Sequence, residues 1–247
     1  MSIPRYIASG TGANIAAASA SLAPTFPAGI ASSDLAILLM YVKNDSTATL
    51  TTSNTFAWTD IQSSTLIGTS DKIMARYHIC NGTESSASVE VKSTGAAGRR
   101  AAIIYQFRGD TNQWNFEDVS FQSNASSITH ADLGISTSGN ERLILNMWGW
   151  SSTQQLSVSL SAETGGSWTN ANKYDSGQNP ALELQICSLT TSGSISNGSV
   201  NLVSGANVAG IIGVALWVIS NFSPSGETAP AAFGGNTIIC PLGYNPT

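Results

Sequence analysis

The chain has 247 residues, a formal net charge of -5, 42% hydrophobic residues and only 10% charged ones. That length accommodates a single all-β domain with a sizeable core. Ten Lys and Arg stand against fifteen Asp and Glu, with no basic run longer than Arg99-Arg100, which excludes the phosphate-neutralising stripe of a nucleic-acid binder.

Ser, Thr, Asn and Gly take the place of charge, a mix that suits strand faces and turns better than surface helices. The opening, Met1 to Tyr6, lacks the basic-then-apolar order of a secretory signal, so none is expected. Residues up to about 33 are small and polar, diluted by Pro24 and Pro27, and predict a short first strand and an exposed loop. Leu35 to Val42 is a near-continuous apolar run, the pattern of a central strand buried on both faces. Phe56 and Trp58 open a short strand with both rings on one side. Lys72 to Cys80 alternates loosely and stops at the turn signal Asn81-Gly82. Ser88 to Val91 reads as a half-exposed strand, and Ala101 to Phe107 as another core strand.

Trp114 to Phe121 is a further strand in the connector, after which the order is replayed. Arg142 to Trp150, Ser157 to Ser161, a Trp168 segment, Leu182 to Leu189, Ser199 to Val203 and Ala209 to Ile219 complete the set. Matching residue types pair Met40 with Met147, Trp58 with Trp168, Cys80 with Cys187, Phe107 with Val218, and Asp34 with Glu141 at the strand starts. Many short strands punctuated by Gly, Asn and Ser predict an all-β, jelly-roll-like β-sandwich over residues 1–220, made of two similar halves at about 34–107 and 141–218. The longest apolar run, Val208 to Ile219, is interrupted by Gly210 and Gly213 and is too short to span a bilayer as a helix.

Residues 221–247 are rich in Pro and Gly yet keep Phe222, Phe233, Ile238, Ile239, Leu242 and Tyr244. This reads as an extended C-terminal arm, either docked on a neighbouring subunit or folded back over its own sandwich.

Residues that carry chemistry are sparse. His78 lies mid-strand and His130 in the connector, with no partner placed on a common strand face, so no metal and no cofactor is expected. No Gly-x-Ser-x-Gly elbow and no phosphate loop occurs. The three cysteines, Cys80, Cys187 and Cys240, match no zinc spacing. Cys80 and Cys187 read as buried thiols, with a bridge between them left open. Trp148 and Trp150 share one strand face. They form either a flat platform for a host-surface sugar ring or partner, or part of the core.

Four segments in this order resemble a broad group of tailed-bacteriophage structural proteins: Asp34 to Leu39, Phe56 to Trp58, Ala75 to Glu84 and Ile103 to Gly109. Ser33 stands where that group has Gly, His78 where it has Lys, and Phe107 where it has Tyr. The resemblance spans roughly residues 30–220. It implies a β-sandwich of the virion, in head decorations or neck and tail appendages. It implies contacts with other virion proteins, a homo-oligomer with a trimer as first candidate, and no enzymatic activity. A glycan- or receptor-binding module of a tail appendage is the alternative.

Overall fold

The computed structural model describes residues 3–15, 21–52, 55–93, 98–110, 113–127, 129–131, 134–151, 156–159, 168–174, 180–195, 199–202 and 207–218. Every element among them is a strand. The first half carries β1 (Arg5–Ser9), β2 (Ala13–Ile15), β3 (Ser21–Leu22), β4 (Ser32–Lys43), β5 (Leu50–Thr52), β6 (Thr59–Ile67), β7 (Asp71–Asn81), β8 (Val91–Ser93) and β9 (Arg99–Arg108). The second carries β10 (Trp114–Ser127), β11 (Thr129–Ala131), β12 (Ile135–Thr137), β13 (Arg142–Trp150), β14 (Leu156–Ser159), β15 (Trp168–Tyr174), β16 (Ala181–Leu189), β17 (Gly193–Ile195), β18 (Ser199–Leu202) and β19 (Asn207–Val218). The arm residues Phe222, Phe233, Ile238, Ile239, Leu242 and Tyr244, and Cys240, lie outside the described residues.

The halves repeat one strand order. The first large sheet runs β1-β9-β4-β7-β6, with β2 also on β9, and the second runs β10-β19-β13-β16-β15. Each half adds a three-stranded sheet of matching order, β3-β8-β5 and β11-β18-β14. All pairings are antiparallel. The chain is thus an all-β assembly of sheets packed face to face.

Strand parity decides which residues go where. Leu35, Ile37, Leu39 and Tyr41 of β4 point into a central core, where they meet Leu143, Leu145 and Met147 of β13 and Leu182 and Leu184 of β16. The opposite parity of β4, namely Ala36, Leu38, Met40 and Val42, packs outward beneath Leu22, Phe26 and Val91 of the first half. In the second half Ile144 packs outward with Ile135 of β12, and Trp148 and Trp150 with Ile211. The central strands are therefore covered on both sides, which is why they read as unbroken apolar runs. Each fully buried Leu or Ile contributes about 1.5–3 kcal/mol, so this central contact outweighs the half-exposed ion pairs around it.

Register corrects the residue matches drawn from type alone. Leu35 pairs with Phe107 and Ile79, and Leu143 pairs with Leu216 and Ser188. Counting along both ladders, Leu39 corresponds to Met147, Met40 to Trp148, Phe107 to Leu216, His78 to Cys187 and Cys80 to Leu189. Asp34 corresponds to Arg142, and Ser33 to Glu141. Ser33 and Glu141 both have left-handed backbone, with φ of 75° and 59°. Only the Trp58–Trp168 match stands, since each precedes or opens the strand beside the His78 or Cys187 position.

Two local expectations also change. Phe56 and Trp58 lie in the loop before β6 and not in a strand, although both rings do turn to one side, against His78. Ser88 forms only an isolated bridge, to Thr25, and β8 begins at Val91. Cys80 and Cys187 are both free buried thiols, in clusters on opposite outer faces of the two large sheets, so no bridge joins them.

Candidate functional site

The described residues bring three potential ligand side chains together at the end of β7. His78 and Cys80 are two apart on that strand and so emerge on the same face. The chain then turns at Asn81 and Gly82, where Gly82 takes a φ of 95° that favours glycine. The turn returns Glu84 to the same spot. The His78 ring, the Cys80 sulfur and the Glu84 carboxylate place one ligand atom each within 4.8 Å of one another.

Each member is fixed by further contacts. Glu84 Oε1 accepts the Asn81 N–H at 2.8 Å and lies 3.0 Å from His78 Nε2, while Oε2 accepts the Gly82 N–H at 2.9 Å. Burial alone would raise the Glu84 pKa, but these hydrogen bonds outweigh it and hold the carboxyl below its usual value. His78 Nδ1 lies 3.1 Å from the Ala57 carbonyl oxygen. A carbonyl and a carboxylate oxygen only accept, so Nδ1 donates to Ala57 and Nε2 to Glu84. Phe26, Phe56 and Trp58 surround the imidazole with ring centroids 5.6–6.0 Å away.

Cys80 is no nucleophile here. Burial, then the charges of Glu84 and Asp34, push its thiol up to about 12. A reactive cysteine needs the reverse, an electropositive and accessible setting.

Asp34 braces the base of the same region. Its Oδ2 accepts the Ala31 N–H at 2.8 Å and Gln106 Nε2 at 2.6 Å, and Arg108 grips both carboxylate oxygens at 2.7 Å. Arg108 is therefore engaged within the fold. At the corresponding place in the second half the pair is replaced: the Arg142 guanidinium lies 4.6 Å over the Trp217 ring and also pairs with Glu117.

Trp148 and Trp150 are 0% and 2% exposed, so they offer no platform at the surface. Of the two readings the core one holds: the His130 ring stands 6.5 Å from Trp148, and Ile211 and Ala181 pack beside the indoles. Trp148 Nε1 donates to Gln185 Oε1 at 2.9 Å, and Gln185 Nε2 donates to Glu183 Oε1 at 3.2 Å. Glu183 is fully buried, with Lys173 Nζ 3.8 Å from its Oε2. Burial pushes its carboxyl up to about 7, although Lys173 and Gln185 pull the other way.

The expectation that neither histidine has a partner on its strand face fails for His78. Cys80 supplies that partner, and the i, i+2 spacing was legible in the sequence. The return of Glu84 was not, because it depends on the geometry of the Asn81-Gly82 turn. His130 is buried, and neither ring nitrogen has a hydrogen-bond partner. Burial lowers its pKa, so the ring is neutral. Comparison with family models, with curated proteins and with solved structures yields no match.

Proposed function

We propose that this chain is a non-enzymatic structural protein of a tailed-phage virion, set in the head, neck or tail by contacts with neighbouring subunits. The observation that carries the reading is the job done by the resembling residues themselves. Asp34 ties β4 to β9 through Gln106 and Arg108, Glu84 closes the turn after β7, and Trp58 packs against Phe26, with ring centroids 5.7 Å apart. Each of them secures the fold. Two sheets whose central strands are buried on both faces favour rigidity over a ligand-accepting cleft. A homo-oligomer, a trimer first, follows from the closed symmetry of such assemblies. The proposed docking element is the arm, residues 221–247.

The test is to purify particles that carry the full chain or a variant lacking residues 222–247, and to locate the protein by labelled imaging. The full chain is expected at a fixed site on the particle. The truncated chain should fold with the same circular-dichroism spectrum yet be incorporated at a clearly lower level. Absence of the full chain from particles would overturn the virion assignment, and normal incorporation of the truncated chain would overturn the arm.

A further inference from the structure

We propose that His78, Cys80 and Glu84 form a binding site for a thiophilic divalent metal ion of the zinc class. Histidine nitrogen, cysteine sulfur and carboxylate oxygen are the ligand set that a borderline-soft ion selects.

The geometry needs little rearrangement. Tetrahedral zinc bonds of about 2.0–2.3 Å place ligand atoms roughly 3.3–3.8 Å apart. Here the ligand atoms lie within 4.8 Å of each other, and His78 Nε2 and Glu84 Oε1 are 3.0 Å apart. Side-chain shifts below about 1 Å bring all three to bonding distance. The outer contacts of a metal site already exist. His78 Nδ1 faces the Ala57 carbonyl, which fixes the tautomer with Nε2 toward the ion, as second-shell partners of ligating histidines do. Glu84 Oε2 remains held by the Gly82 N–H while Oε1 turns to the metal.

Charge balances as well. A thiolate and a carboxylate bring two negative charges, which a divalent ion cancels. The neighbouring Asp34 is already matched by Arg108. Binding sends the proton on Cys80 Sγ to solvent, along with any proton on His78 Nε2, and forms bonds from the metal to Nε2, Sγ and Oε1. A fourth position is left for water, and no oxidant or reductant is required.

The second half provides an internal control. At the corresponding places it has Cys187 for His78 and Leu189 for Cys80, packed with Ile135, Ile144, Trp168 and Ala215 in an apolar cluster. Among the described residues, the second half therefore closes this end of its sheet with one thiol in an apolar cluster. The first half instead gathers a nitrogen, a sulfur and a carboxylate there.

The experiment uses the full chain, stripped by chelator, kept reduced and titrated with cobalt(II). One equivalent is expected to give the intense near-ultraviolet charge-transfer band of a cobalt–thiolate bond with tetrahedral visible bands, and zinc should displace it. The band should persist in a Cys187→Ala, Cys240→Ala variant and vanish in Cys80→Ala, which removes only one buried atom. His78→Gln should weaken binding at least tenfold. Zinc should raise the thermal midpoint of the wild type and leave that of Cys80→Ala unmoved. The proposal is overturned if the wild type shows no cobalt–thiolate band, which would leave His78 and Glu84 as an ordinary ion pair. It is equally overturned if the band survives in a folded Cys80→Ala variant.

Discussion

Gly149→Ala is the sharpest probe of how the two halves meet. Gly149 of β13 and Gly210 of β19 lie side by side in the second large sheet and form a notch for side chains of the first. A methyl group at Gly149 would sit 2.4 Å from Cδ2 of the Tyr41 ring and 3.3 Å from Ile73 Cδ1. The ring cannot simply swing aside, because its hydroxyl donates to Asp71 Oδ2 at 2.6 Å in a buried setting. Relieving the clash means moving the ring by about 1 Å. Overpacking of this kind costs about 1–3 kcal/mol, and breaking the charged hydrogen bond adds about 1.5–3 kcal/mol. Alanine regains about 0.5–1 kcal/mol over glycine within a strand. We expect a net loss of about 2–5 kcal/mol, read as a lowered urea midpoint with an unchanged m-value. Gly210→Ala should cost less, because its 2.4 Å contact is the flexible Cδ1 end of Ile67.

The control is a double-mutant cycle. Tyr41→Ala is itself destabilising, but in that background Gly149→Ala should become neutral or slightly favourable, a coupling of about 2 kcal/mol or more. Additivity within about 0.5 kcal/mol would refute the claim that Tyr41 fills the Gly149 notch. It would also refute the face-to-face contact of the large sheets built on it.

Two further outcomes follow from the outer layer of the second half. Glu183 has its pKa raised from 4.5 to about 7 by burial, so the folded chain holds this proton more tightly than the unfolded chain does. Its contribution to stability is complete below about pH 4.5 and is lost as pH rises through about 7. Relative to Glu183→Gln, the wild type should lose on the order of 2–3 kcal/mol across that window. Parallel denaturation curves at each pH check this, and a difference that does not vary with pH would count against it. Trp148→Ala should destabilise by about 3–5 kcal/mol, as removal of a buried indole does. A loss below about 1 kcal/mol, or an effect on saccharide binding without one on stability, would show instead that the indole is reachable from outside.

The existence of the main strands was legible because runs such as Leu35 to Val42 are of strand length and end at turn formers such as Asn44 and Asp45. The repeat was legible too, through Trp58 and Trp168, the most distinctive side chains in it. Its register was not. When one face of a strand is wet, polar residues mark the parity, and a one-residue slip is obvious. Here Arg142 to Trp150 is buried at every position, so alternation carries no signal and pairing by residue type set Met40 against Met147. The true register puts Met147 opposite parity from Met40, facing the central core with Leu39. A separate slip of two residues, which keeps parity, set Cys80 against Cys187 and hid that His78 stands where the second half has Cys187. The choice between platform and core for Trp148 and Trp150 stayed open for another reason: a two-layer sandwich covers only one face of each sheet, whereas here the outer face of β13 is covered as well.

Register matters because the two halves share a strand order but differ at matched positions. Tyr41 and Gly149 occupy the same position of the repeat, one as the knob and the other as the hole. Two copies of a tyrosine there would collide, and two glycines would leave a void, so the contact between halves requires them to differ. The strand-start position behaves alike. Asp34 pairs with Arg108 in the first half, whereas Arg142 takes the aspartate's place and stacks on Trp217, the counterpart of Arg108, in the second. Sign and partner change while the site stays bridged across the same two strands. The His78, Cys80 and Glu84 group is the third such divergence. The first two exchange one internal brace for another, but this one replaces an apolar plug with three groups able to bind a cation. Divergence at a position that packing alone could satisfy is where a property beyond folding is expected.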